Sequence, residues 1–391
     1  MNVHFKESKD YSLWTVKVLC TSCLEIHIFG KILIVKIYIP SYNQSMMTIK
    51  KLLLTGVFST LLSVSATAQK KDSYTHKIDS IITASVPIQF NGVVSVTQKG
   101  KVEYLKSNGY KDFEKKIPLK TNDQFEIMSN SKQMTAVLIL QAAEQGKLDL
   151  HTPIKKYLPS LTQTWADTVT IHHLLNHTHG ITHLEKPAAF KAGSQFKYGN
   201  LSYTMLGEIL KNTTGKSFTE LANSLFKKLK MDHTFVYHTK STPSAVPGYM
   251  NENNQFSSVK ESFLNDDIAP AAGIISTVQD LAKWDQALFK GKLLFPEFQK
   301  QMLTPSTSAQ HDVFGKESMG FGYNVRFIKE AGLDYYAVTG LGDGFTCLNV
   351  YFPSTDTTLI ILENQMPENR EYWSFKEAAI KNVVLKAITA K

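Results

Sequence analysis

The sequence predicts an α+β protein: an antiparallel sheet flanked by helices, with a mainly helical lobe inserted between its strands. Three observations carry that expectation. An alternating hairpin stands early, over Phe90–Tyr110. Helical patterns fill the middle of the chain, and strand-like segments cluster from Gly320 onward before a last helix. The early and late strands would share one sheet, about 80–120 and 315–391, with the helical lobe over about 121–314. A cleft between two such lobes is where a small-molecule site is expected. Composition agrees: 391 residues, 43% apolar and 20% charged, with 21 Gly and 13 Pro, exclude disordered, collagen-like and low-complexity classes.

In chain order, the first 68 residues stand apart. Met47–Gln69 reads MTIKKLLLTGVFSTLLSVSATAQ, with Lys50 and Lys51 before an uncharged stretch and Ala66-Thr67-Ala68 after it. A basic start, a short apolar run and a small-x-small site make residues 47–68 a signal peptide. The run is short for a membrane span of about 20 residues. Residues 1–46 then read either as sequence upstream of the true start or as a membrane-associated segment, since Val16–Pro40 is rich in Ile, Leu and Val. Lys17, Glu25, Lys31 and Lys36 interrupt that stretch, and charge at membrane depth is expensive. The expected mature chain is residues 69–391, periplasmic or secreted, with no stable membrane span after signal cleavage.

This division changes the charge and cysteine arithmetic. Net charge is +9, and the first 68 residues hold seven Lys against three acidic residues, so +4 leaves with them. The rest is spread in doublets such as Lys115-Lys116 and Lys227-Lys228 rather than runs, which argues against a nucleic-acid partner. Cys20 and Cys23 leave as well, and Cys347 alone has no partner for an internal disulfide.

The folded part follows element by element. Phe90–Tyr110 alternates apolar residues about Lys99-Gly100, the pattern of a hairpin. Met134–Gly146 has helical spacing closed by Gly146, and Ile171–Leu175, Tyr203–Lys211 and Phe218–Lys228 are further helices. Thr277 caps another, TVQDLAKWDQALF, with Asp280 three residues on. Strands are expected at Tyr323–Phe327, Tyr335–Val338, Thr346–Phe352 and Thr358–Leu362, and a final helix over about 372–388.

Two short segments carry chemistry. Ser129-Asn130-Ser131-Lys132 opens the first strong helix of the middle region. A serine there sits near unpaired N–H groups and the positive end of the helix dipole. A lysine three residues on shares its face, and serine needs such a neighbour to take its proton. Taken alone the pair also fits a capped surface helix. Tyr198-Gly199-Asn200 lies downstream; a phenol keeps its proton up to about pH 10 unless a cation such as Lys132 favours the phenolate. An aromatic beside a Gly-Asn turn equally fits simple packing.

The segments EIMSNSKQMTAVLILQAAEQGKLDLHTPIKKYLP, TIHHLLNHTHGI, FKYGNLSYTMLGEIL, LKMDHTFV and AAGIISTVQDLAKWDQAL occur in that order. Together they resemble the serine β-lactamase-related family of class C β-lactamases, D-alanyl-D-alanine carboxypeptidases, D-aminopeptidases and family VIII esterases, over about residues 80–365. The resemblance implies the β-lactamase/transpeptidase fold and a serine hydrolase acting through an acyl-enzyme. It makes Ser129 the nucleophile, Lys132 the group that takes or holds its proton, Tyr198 the general base and then acid, and Asn200 a substrate-orienting residue. The family's third motif, usually Lys-Thr-Gly or His-x-Gly, falls on Val338-Thr339-Gly340-Leu341-Gly342-Asp343-Gly344-Phe345. Thr339 and Gly340 keep the frame, and the Leu341 N–H would complete an oxyanion hole with that of Ser129. Val338 stands where the cation or imidazole belongs, which predicts weak action on β-lactams and carboxylate-bearing peptides and better turnover of neutral esters or amides. No metal or organic cofactor is implied. The partner is a small-molecule or peptide substrate, an ester, amide or peptidoglycan-like group, and the oligomeric state is left open.

Three other readings compete. His172, His173, His177, His179 and His183 crowd together, and His173 and His177 share a helical i, i+4 relation that can suit zinc. Gly340-Leu341-Gly342-Asp343-Gly344 invites a nucleotide loop, but its spacing is not that of the dinucleotide fingerprint and a strand follows it. The alternative from another class is a non-catalytic, penicillin-binding-like sensor or binding protein that retains the fold.

Overall fold

A computed structural model describes residues 74–238 and 245–390, together with four strands within the first 37 residues. The chain divides into two units, Met1–Gln69 and Lys70–Lys391. In the first, Val3–Glu7, Leu13–Val18, Leu24–Phe29 and Ile32–Ile37 pair in chain order as an antiparallel meander. The apolar stretch beginning at Val16 therefore contributes strands. The signal-peptide segment 47–68 lies outside the described residues, and no described helix is long and apolar enough to cross a membrane.

In the second unit one eight-stranded sheet organises the rest. Its strands run, edge to edge, Thr307–Ala309, Met319–Phe321, Arg326–Glu330, Leu333–Gly342, Phe345–Phe352, Thr357–Glu363, Gly92–Gln98 and Lys101–Asn108. Every neighbouring pair is antiparallel. The early hairpin thus pairs with the late strands in one sheet. Its turn forms at Lys99 and Gly100, both with positive φ (51° and 74°), which matches the twist of the flanking strands.

Phe345–Phe352 and Thr357–Glu363 are buried at every position because both faces of the sheet are covered. On one face, Tyr335, Leu348, Val350 and Ile361 pack with Ile78 and Ile82 of a helix over 74–83 and with Ile380 and Val384 of the Phe375–Thr389 helix. On the other, Cys347, Ile360 and Leu362 join a larger core with Trp284 and the central helices. The alternation of Cys347 and Leu348 between these two cores is the period-2 pattern of a strand.

The helix Ser131–Glu144 runs through that larger core, buried from Ser131 to Leu140. Leu201–Thr214 crosses near it and meets Ala269–Ala272 so closely that a Cβ on Gly207 would fall 2.3 Å from Pro270 Cγ. Local caps fix other helix starts: Ser217 and Glu220 bond reciprocally ahead of Phe218–Lys228, and Thr277 accepts from the Asp280 N–H ahead of Val278–Phe289. Some elements depart from sequence expectation. The strand expected from Tyr323 starts at Arg326, because Asn324 turns the chain with φ 50° and Gly322 N–H bonds Val325 O at 2.9 Å. A helix over Pro296–Leu303, with proline in its first turn, was not expected.

Candidate active site

The site forms where one strand outruns its neighbour. Leu333–Gly342 pairs with Arg326–Glu330 only up to Arg326↔Ala337, while on its other side pairing continues to Gly342↔Phe345. Val338–Gly342 therefore keeps one edge clear of the sheet. The turn Met128–Asn130 lies against this stretch: a Cβ on Gly340 would sit 2.4 Å from Ile127 O and 3.2 Å from Ser129 N. Only glycine allows so close a backbone approach. Asn324 Nδ2 donates to Ser129 O at 3.1 Å and holds the turn from another side. Met128, just before the serine, has φ 48°, a left-handed conformation that a non-glycine residue keeps only where its surroundings enforce it.

Lys132 follows on the first turn of the helix, and its side chain is fully buried. Its Nζ donates to Ser129 Oγ at 2.9 Å, Asn200 Oδ1 at 2.8 Å and Ala271 O at 2.9 Å. None of the three is a carboxylate, so among the described residues the ammonium has no counter-ion to offset its lost hydration. Burial accordingly lowers the Lys132 pKa, with the Tyr198 phenol opposing. A lysine in this state is suited to accept the proton of a bonded hydroxyl.

Tyr198 is 41% exposed at the mouth of the site, its ring centroid 5.0 Å from Lys132 Nζ. Beneath it lies His177, fully buried, with ring centroids 4.4 Å apart. His177 Nδ1 bonds Ser202 Oγ at 3.2 Å, and its Nε2 has no partner among the described residues. Burial, then the charges of Lys132 and Arg326, hold this imidazole well below its usual range, so it is neutral.

Thr339 Oγ1 accepts from Arg326 Nη1 at 3.1 Å and meets His311 Nε2 at 3.2 Å. His311 Nδ1 accepts from Val313 N–H, and burial pushes the ring down to about 3, so the neutral ring carries its hydrogen on Nε2. Both hydrogen bonds then enter the threonine oxygen, which leaves its own hydroxyl free to donate elsewhere. Leu341 is 37% exposed beside Gly340, and Val338 is buried opposite Asn349. Arg326 is itself a buried cation with no carboxylate partner among the described residues.

Of the residues expected from sequence, Ser129, Lys132 and Asn200 are joined by hydrogen bonds, Tyr198 borders them, and Gly340 packs on the serine turn with Thr339 and Leu341 beside it. Asn200 touches the lysine directly, a contact beyond the expected substrate-orienting role. Four of the five histidines are engaged in hydrogen bonds: His172 Nδ1 with Tyr323 OH at 2.7 Å, His173 in the cap of Ile171–Leu175, His177 with Ser202, and His179 Nδ1 accepting from Ile181 N–H. Among the described residues no group of three or more His, Cys, Asp or Glu is placed to hold a metal ion. Sequence reasoning missed Arg326, His311, Asn324 and Ala271. Ala271 lay inside the AAGII segment, whereas nothing local marked the other three.

A serine, a buried lysine and a tyrosine thus gather at the edge of an antiparallel sheet, and they make up the candidate site. The pattern that defines the Beta-lactamase family matches residues 81–379, and the chain belongs to that family. Among curated proteins it is similar to Protein flp of Staphylococcus aureus (strain NCTC 8325 / PS 47), 27% identical over 309 residues, 71% of this chain but 60% of flp. It is also similar to Penicillin-binding protein 4* of Bacillus subtilis (strain 168), 26% identical over 323 residues, 73% of this chain and 70% of that protein. Among solved structures it superimposes on the D-amino acid amidase of Ochrobactrum anthropi SV3 with a TM-score of 0.71 at 22% identity, covering 81% of this chain and 98% of that one.

Proposed function

We propose that this chain is an exported serine hydrolase that cleaves an ester or amide through an acyl-enzyme on Ser129. The observation that carries the reading is the burial of Lys132 against Ser129 Oγ and Asn200 with no acidic partner among the described residues. Lys132 takes the hydroxyl proton as Ser129 Oγ bonds to the substrate carbonyl carbon. The N–H groups of Ser129 and Leu341 receive the oxyanion, since Gly340 brings that strand onto the serine turn. Tyr198 passes the proton to the leaving oxygen or nitrogen as its bond to the carbonyl carbon breaks. Water then bonds to the acyl carbon and gives its proton to the same groups, which return it to Ser129 Oγ as the Oγ–acyl bond breaks and the acid leaves. Export rests on the signal-peptide pattern of residues 47–68. The amidase and penicillin-binding proteins named among its similar proteins support acyl chemistry of this kind.

Val338 offers no charge to a substrate carboxylate, so neutral esters and amides are the preferred class. Parallel assays of nitrocefin and p-nitrophenyl esters with wild type and Ser129→Ala test this. Ester hydrolysis that is lost in Ser129→Ala, beside slow nitrocefin turnover, is the expected result. Rapid nitrocefin hydrolysis beside a sluggish ester reaction would overturn the preference.

A further inference from the structure

The turn that closes the strand motif, Gly342-Asp343-Gly344, is gripped from two sides. A Cβ on Gly248 would meet Asp343 O at 2.0 Å, and one on Gly344 would meet Tyr249 N at 2.3 Å. On the other side the Asp343 carboxylate accepts twice through Oδ2, from Ser262 Oγ at 2.6 Å and from the Phe263 N–H at 2.9 Å. Ser262 Oγ accepts in turn from the N–H of Leu264, whose side chain is buried. Phe263 is thus fixed between a two-bond clamp and a buried anchor, yet its side chain is 42% exposed.

Single exposed apolar residues are ordinary on a protein surface. An exposed ring on a clamped backbone beside a nucleophile is different. The Phe263 ring occupies the space a side chain on Gly342 would need, with Cε1 3.2 Å and Cζ 3.7 Å from a Cβ there. Met128 Sδ lies 3.3 Å from the same point, and Met128 directly precedes Ser129. Met128 is fully buried, so the exposed apolar surface at the Gly342 end is the Phe263 ring.

Tyr198 stands toward the opposite end of the strand. Its ring lies 4.4 Å from that of His177, His177 lies 5.8 Å from Phe321, and Phe321 pairs in the sheet with Arg326, which pairs in turn with Ala337. If Tyr198 protonates the leaving group, that group occupies the Ala337 end and the acyl group points to the Gly342 end. We propose that Phe263, with buried Met128 behind it, forms an apolar acyl subsite, that Asp343 is the positioning residue that holds it, and that the substrate carries an aryl or medium-length alkyl acyl group. The proposal rests on the acyl-enzyme reading. It also accounts for the Gly-Asp-Gly turn: Gly342 leaves room for the ring, and Asp343 ties it down.

The test is chain-length dependence. p-Nitrophenyl acetate, butyrate and octanoate are assayed with wild type, Phe263→Ala, Asp343→Ala and Asp343→Asn. Wild type is expected to favour octanoate. Phe263→Ala loses roughly tenfold in kcat/KM on octanoate, mostly in KM, and less than twofold on acetate. Asp343→Ala gives the same pattern, and Asp343→Asn, whose amide oxygen still accepts both bonds, restores the preference. Equal losses on all three esters, or an unchanged octanoate-to-acetate ratio in Phe263→Ala, overturn the proposal. Should Phe263→Ala not fold, the Asp343→Ala and Asp343→Asn pair carries the same comparison. A wild-type chain that turns over no ester and forms no adduct on Ser129 instead sinks the acyl-enzyme reading. In that case octanoate-ester binding to Ser129→Ala, compared with Ser129→Ala/Phe263→Ala, still reads the subsite, and equal affinities overturn it.

Discussion

Gly340→Ala is the substitution whose consequence is best worked from geometry. Its added Cβ would stand 2.4 Å from Ile127 O and 3.1 Å from Met128 Cβ. Non-bonded heavy atoms settle at about 3.5 Å, so strand and serine turn must separate by about 1 Å. Both contacts are with backbone or with the first side-chain carbon, so no flexible group can swing aside. Overpacking of this kind costs about 1–3 kcal/mol of stability. The larger effect falls on the site, because the N–H groups of Leu341 and Ser129 move apart, and a displacement of about 1 Å costs roughly 100-fold in rate. The assay is the second-order rate of ester hydrolysis, read beside a thermal melt. A Gly340→Ala chain that melts lower by a few degrees and reacts roughly 100-fold more slowly agrees with the geometry. One that keeps both the wild-type rate and the wild-type melt refutes the placement of this strand on the serine turn.

Three further predictions follow from buried groups. Lys132→Met removes the proton acceptor and is expected to lower kcat/KM by about a thousandfold, measured by ester hydrolysis; a loss below tenfold assigns that role elsewhere. Because burial lowers Lys132, the rate of acylation should rise with pH on a limb below the ordinary lysine value of 10.5, and a limb at that value contradicts the environment described. Asp285 is fully buried, raised by burial to about 8, and its Oδ2 has no partner among the described residues. Between its ordinary value of 3.8 and about 8 the folded chain holds a proton that the unfolded chain releases. Stability therefore falls as pH rises through that window, by at most about 1.4 kcal/mol per unit from this group. Asp285→Asn should flatten the decline of Tm between pH 5 and 8, and an unchanged slope contradicts it.

What the sequence displayed was local. Ile171–Leu175 and Phe218–Lys228 match their expected bounds because periodicity and neighbouring caps decide them. The hairpin at Lys99-Gly100 is legible for the same reason, since two positive-φ residues make the turn. Where a single residue reverses the chain, as Asn324 does ahead of Arg326, apolar spacing misplaces the strand. The site follows the same rule. Ser129 and Lys132 are three residues apart and share a helical turn. The acceptors that complete the lysine, Asn200 and Ala271, lie 68 and 139 residues away, and only the packing of three helices brings them together. Arg326 reaches Thr339 through sheet register, which no local pattern encodes.

The central claim is that Ser129 forms a covalent acyl-type intermediate with help from Lys132. Intact-mass and peptide mass spectrometry after exposure to a fluorophosphonate, or to a labelled penicillin, tests it most directly. One adduct per chain on the peptide containing Ser129, absent in Ser129→Ala and strongly slowed in Lys132→Met, is the expected result. A folded wild-type chain that carries no adduct on Ser129 with either reagent would contradict the claim and favour a binding protein built on the same fold.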